Sequence, residues 1–162
     1  MSTPRYVAPR PALGSPTVTD RRWGAALRGV ARLLRPLRPT YAPRADGRPD
    51  PGEVVWTWVP YEDDPAQGKD RPVLVLAVEG ATVVALMLTS RDHDRDAAAE
   101  ARHGRIWLDV GAGGWDPRGR PSEVRLDRVL RLPAADVRRE GAALDRRRYD
   151  EVVRAASRVH GW

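Results

Sequence analysis

The chain contains no cysteine. A disulfide framework and a thiolate metal site are therefore both excluded. Lysine is nearly absent as well, with Lys69 its single instance, while arginine is abundant. That imbalance reads as a coding bias. No apolar run approaches the roughly 20 residues needed to span a bilayer, so no membrane partner is expected. The opening MSTPRYVAPR lacks the compact apolar core of a secretory signal. These absences together set the expectation of a cytoplasmic protein. No internal repeat is visible, and no helix-turn-helix pattern that would mark a DNA-binding regulator.

What is present is unevenly distributed. The 162 residues carry a net charge of +6, a length that suits one domain and a tail. Residues 1–50 hold ten Arg against three Asp, a balance of +7, and residues 51–162 balance to −1. The high isoelectric point belongs to the first third, and net charge alone does not mark the remainder as a nucleic-acid binder.

Residues 1–19, rich in Pro, Ser and Thr, read as disordered. A short amphipathic helix is expected over 20–35, capped by Asp20, with Trp23, Leu27, Val30 and Leu34 at helical spacing. Gly24 and Gly29 oppose it, and Pro36 and Pro39 end it. The stretch TYAPRADGRPDPG over 40–52 reads as a linker. The tail has three readings: added RNA affinity through counterion release, an amphipathic membrane contact, or an unstructured extension, even a start codon assigned too far upstream.

From residue 51 the pattern is that of β-strands. In Glu53–Val59, Val55, Thr57 and Val59 face one way and Val54, Trp56 and Trp58 the other. Pro72–Val78 and Thr82–Leu88 are apolar runs joined by Glu79-Gly80, a hairpin buried on both faces. Further strands are expected at Arg105–Val110, Ser122–Leu126 and Arg128–Leu132, with helical turns at Ala97–Ala101 and within Pro133–Gly141. A final helix from about Asp145 has Tyr149, Val152, Val153, Ala156 and Val159 as its apolar stripe. Short strands plus a terminal helix make a mainly β fold, a small SH3-like barrel.

Three stretches carry a resemblance to a known family. GEVVWTWVPY (Gly52–Tyr61) resembles the opening strand of MazF/PemK toxins. GKDRPVLVL (Gly68–Leu76) resembles their G-x-x-RP signature, and VVALMLTS (Val83–Ser90) ends in a hydroxyl pair as theirs does. The resemblance covers residues 51–162. It implies a homodimer of SH3-like barrels that cleaves single-stranded RNA without a metal or other cofactor and is inhibited by a cognate antitoxin protein. Matched residue by residue, it places the catalytic arginine on Arg71 and the catalytic hydroxyl on Thr89, with Ser90 adjacent.

The residues themselves bear on that expectation. Arg71 is a planar, multi-donor cation suited to phosphate, stiffened by the locked φ of Pro72. Its bland alternative is a surface ion pair with Asp70 or Glu62. Gln67, Gly68 and Lys69 stand in the first long loop, which the resemblance implies closes over RNA. His93 is the nearest group with a suitable pKa for a general base, against the alternative of a solvated loop residue. Trp115, set in a glycine-rich turn, is the candidate for base stacking, whereas Trp58 on its strand reads as core. Asp92, His93, Asp94 and His103 lack a distinctive ligand spacing, so no metal site is expected. The rival from another class is a non-catalytic SH3-like module that binds RNA or protein.

Overall fold

The computed structural model describes residues 36–90 and 97–162. The 20–35 helix, Asp92, His93 and Asp94 lie outside the described residues. Among the described residues six strands and two helices follow one another: β1 (Glu53–Pro60), β2 (Gly68–Glu79), β3 (Thr82–Thr89), α1 (Ala97–Arg102), β4 (Trp107–Gly111), β5 (Ser122–Pro133), β6 (Val137–Ala143) and α2 (Arg146–His160). A single 3-10 turn, Ala134–Asp136, joins β5 to β6. No helix among the described residues is long and apolar enough to cross a membrane.

All strand pairs are antiparallel, in the order β4-β5-β3-β2-β1-β6. The β2–β3 hairpin is central, which explains why its two runs lack polar alternation: both faces are covered. One face carries Val54, Leu74, Leu76, Leu86 and Val124, buried beneath α2. The other carries Val55, Val73, Val75, Val83 and Met87. Trp107 of β4 and Val137 of β6 both pack against this second cluster, although their strands stand at opposite ends of the sheet order. The sheet must curl to allow this. Register shifts opposite β5, between Val75 and Ala77, and along β6 supply the bends. The result is the expected barrel-like mainly β fold with a C-terminal helix.

Helix α2 begins where Asp145 accepts hydrogen bonds from the amides of Arg147 and Arg148 and ends at Gly161 in the left-handed conformation. It buries Tyr149, Val152, Ala155 and Ala156, while Val159, expected on the stripe, is exposed.

Three local expectations change. Ser122–Leu126 and Arg128–Leu132 are one continuous strand with a bend, not two. The stretch VRREGAA forms edge strand β6, hidden from sequence by its lack of β-branched alternation. The compact unit starts at Leu37, well before the expected linker ends. Leu37 is buried, the Thr40 amide donates to the Leu76 carbonyl at 3.1 Å, and the Tyr41 hydroxyl donates to the Leu144 carbonyl at 2.9 Å. Gly52, at φ 98°, is required here, since a Cβ would lie 2.6 Å from the Tyr41 ring. Residues 37–52 are thus a strap folded onto the α2 side of the sheet.

Candidate active site

Arg71 and Thr89 come from neighbouring central strands. The β2–β3 register pairs Val73 with Met87. Carried two residues further, it sets Arg71 across from Thr89, on the face that bears the second apolar cluster. Both line a cavity of about 800 Å³, as do Ser90, Lys69 and Trp115. Thr89 is buried, Arg71 half-buried, and Ser90 and Lys69 exposed. Three sequence-derived catalytic positions therefore share one cleft where β2 and β3 reach the rim of the sheet.

The bland reading of Arg71 required Glu62 or Asp70 as its ion partner. Both carboxylates are engaged elsewhere. Glu62 pairs with Arg125, and Asp70 pairs with Arg138. Arg71 has no ion-pair partner among the described residues, and its guanidinium opens onto the cavity as a positive group.

The expected RNA contacts divide. Lys69 lines the cavity; Gln67 and Gly68 do not. The Gln67 side chain donates to Asp64 at 2.7 Å, which folds the loop on itself. Gly68 answers a packing demand, because a Cβ there would stand 2.5 Å from the Val59 carbonyl oxygen and against the Trp58 indole. The two tryptophans exchange their expected places. Trp115 is 4% exposed, set in the core, and donates to the Ser122 hydroxyl at 3.1 Å. It forms cavity wall and has no free face for a base. Trp58, expected in the core, is 48% exposed. His103 bonds its own helix through Ala99 and does not line the cavity.

Sequence reading missed the opposite wall. Arg125, Arg128, Arg120, Arg105 and Glu100 also line the cleft. Arg125 is buried and sits across from Trp107 in the β4–β5 register. Its Nε donates to Asp127 at 3.1 Å, and its two Nη groups donate to Glu62 at 2.7 and 3.0 Å. Arg120 pairs with Asp116 at 2.8 Å. Glu100 on α1 accepts from the Trp107 indole at 3.0 Å and pairs with Arg105 at 3.6 Å. Alternation along β5 would have put Arg125 opposite the core residues Val124 and Leu126, but nothing local marks it as facing a cleft.

Burial opposes ionisation of Asp127, yet hydrogen bonds from Arg125 and from the Ile106 amide outweigh it and hold the carboxyl below its ordinary range. A carboxyl whose pKa is depressed by folding contributes stability above its unfolded value near ~3.9, and that stability is lost as pH falls through the folded value. Asp127→Asn removes this titration. The drop in melting temperature between about pH 6 and about pH 3 should therefore be smaller in the variant, even though the variant starts lower at neutral pH. An equal or larger acid drop would show that the pair carries no such linkage.

A curled antiparallel sheet with an arginine and a threonine hydroxyl set in one polar cleft at its rim defines the class as a small mainly β barrel. The chain belongs to the PemK-like, MazF-like toxin family of type II toxin-antitoxin systems, whose family model matches residues 50–160. Among solved structures it is similar to MazE-MazF (Form-II) from Deinococcus radiodurans, at 22% identity, 72% of this chain, 98% of that chain and a TM-score of 0.51. Form-III of the same complex gives 22%, 70%, 96% and 0.49. The Mycobacterium tuberculosis toxin MazF-mt6 gives 18%, 67%, 96% and 0.45. The first of these likenesses shows the shared fold. No curated protein matches the chain.

Proposed function

We propose that the protein is a metal-independent endoribonuclease that cuts single-stranded RNA to 2′,3′-cyclic phosphate and 5′-OH ends, acts in the cytoplasm as a homodimer, and is inhibited by a cognate antitoxin. The observation that carries this reading is the placement of Arg71 in the cleft, across from Thr89, with both neighbouring carboxylates committed to other arginines.

The reaction needs no outside nucleophile. The ribose 2′-OH gives up its proton to a base, its oxygen bonds the adjacent phosphorus, and the P–O5′ bond breaks as O5′ takes a proton. Negative charge gathers on the phosphoryl oxygens, and preorganised donors lower that barrier. Arg71 supplies a permanent cation with a planar fork; its pKa above ~12 makes it a charge stabiliser before a proton carrier. Thr89 holds a short hydroxyl at the end of β3, and Lys69 adds charge at the cleft mouth. An antitoxin segment with acidic side chains would meet Lys69 and Arg71 where RNA phosphates do.

The purified protein should cut single-stranded RNA in the presence of EDTA, and its products should carry a 2′,3′-cyclic phosphate, read by mass spectrometry. Activity that vanishes on chelation and returns with a divalent ion would refute the metal-free chemistry.

A further inference from the structure

Arg125 poses an energetic question. Its side chain is 8% exposed and permanently charged, and such a charge is costly to bury without partners. Asp127, two residues along the same strand, is a fixed partner and neutralises it with bonds to Nε and Nη2. The second carboxylate, Glu62, is of a different kind. It comes from the β1–β2 loop and is 44% exposed, between exposed Tyr61 and Asp63. Its two oxygens take up the Nη1 and Nη2 donors of Arg125, and Arg128 stands 3.9 Å from it. All of this occurs at the wall of the cleft that holds Arg71 and Thr89.

A carboxylate on an arginine fork presents two oxygens and one negative charge. A phosphodiester presents the same two features to the same donors. If Glu62 swings out and a phosphodiester takes its place, Arg125, Arg128, Asp127 and the anion again sum to zero charge. The fork stays satisfied throughout. The loop has a fixed root for that movement, since Arg128 donates to the Pro60 carbonyl at 2.9 Å.

We propose that Arg125 is a second phosphate-binding residue of the cleft, and that Glu62 is a built-in competitor that occupies its fork until the nucleic acid displaces it. This rests on the ribonuclease reading for its substrate, and it assigns the backbone phosphates flanking the scissile one to β5. The β1–β2 loop thereby sets a threshold for binding.

The test uses the full chain and a labelled single-stranded oligonucleotide pool, fully 2′-O-methylated so that it cannot be cut, with affinity read by fluorescence anisotropy. Glu62→Gln should bind roughly fivefold more tightly, the factor that ~1 kcal/mol of lost ion-pair competition represents. With a cleavable RNA, the gain should fall on KM. Asp63→Asn changes the same charge on the same loop and lines the same cleft; it should give a much smaller gain. Combining Glu62→Gln with Arg125→Lys, which keeps the charge and loses the fork, should erase the gain. Unchanged or weaker binding by Glu62→Gln overturns the proposal, as does an equal gain from Asp63→Asn, whether or not the Arg125 variant folds. Wild-type cleavage separates the two readings. Cleavage with no Glu62 effect leaves the ribonuclease and removes the competitor. A Glu62-dependent gain in binding without cleavage keeps the phosphate site and removes the ribonuclease. Protein that neither binds nor cuts RNA overturns both.

Discussion

Arg71→Ala should lose cleavage by roughly a hundred- to thousandfold while remaining folded, corresponding to ~3–4 kcal/mol of transition-state stabilisation, the magnitude measured for single oxyanion-stabilising donors. The fold should tolerate the change because Arg71 is half-buried at the cleft and has no ion-pair partner among the described residues, so none of the described carboxylates is stranded by its removal. The loss should appear in kcat, since the charge it opposes grows in the transition state. Arg71→Lys should recover little, because a point charge lacks the planar fork. The check is single-turnover cleavage of a labelled RNA alongside circular dichroism and a melting curve for each variant. Near wild-type turnover in a folded Arg71→Ala protein would remove Arg71 from the chemistry and return the cleft to a binding role.

The contrast between Arg71 and Arg125 shows what the sequence made legible. Arg71 stands beside Pro72 at the start of an apolar run, a local signature, and the strand order then does the rest by bringing Thr89 across from it. Arg125 stands in an unremarkable alternating strand. Its place in the cleft depends on β4 and β5 pairing at one particular register and on a loop residue 63 positions away, which no local pattern encodes. Glu62 was legible as a rival ion partner for Arg71, but its actual partner, Arg125, was not.

The tryptophans teach the same point about tertiary context. Trp58 lies on the alternating face shared with Val54 and Trp56, so periodicity puts it inside. Trp58, however, lies over Gly68 and remains in contact with solvent. Trp115 sits among glycines, a composition that normally signals an exposed turn. The turn instead folds inward: Trp115 caps the core, and its carbonyl accepts the Trp56 indole N–H at 2.9 Å. Central strands with continuous apolar runs were readable because burial on both faces leaves no polar signal to confuse; β6 and the strap were not, because their anchors, Gly141 against the Val54 carbonyl and Leu37 and Tyr41 against the core, are isolated residues in stretches without strand or helix periodicity.

Removing residues 1–50 should cost about 5 kcal/mol more than removing residues 1–36 and leave a marginal protein. Composition alone places the boundary near residue 50, at the Pro- and Gly-rich stretch where the charge balance changes; the packing places it at Leu37. Leu37 is 8% exposed, and burying such a side chain is worth about 1.5–3 kcal/mol. The Tyr41 ring packs against Tyr149 at 5.2 Å between centroids and beneath the Arg146 guanidinium at 5.1 Å, a comparable contribution. The strap also satisfies core polar groups. The Tyr149 hydroxyl donates to the Thr40 carbonyl and approaches that of Leu76, which in turn accepts the Thr40 amide. Each such bond is worth about 1 kcal/mol net. Burial in these surroundings, chiefly, holds the Tyr149 phenol well above its ordinary range, so it remains a neutral donor at any working pH. Against a total stability of about 5–15 kcal/mol, the longer deletion removes a third or more, and the melting temperature should fall by roughly 15 °C or more. Differential scanning calorimetry of the two truncated proteins beside the full chain decides it. Equal melting temperatures for the two would mean that the strap contributes nothing to the fold and that residues 37–50 are, after all, only a tether.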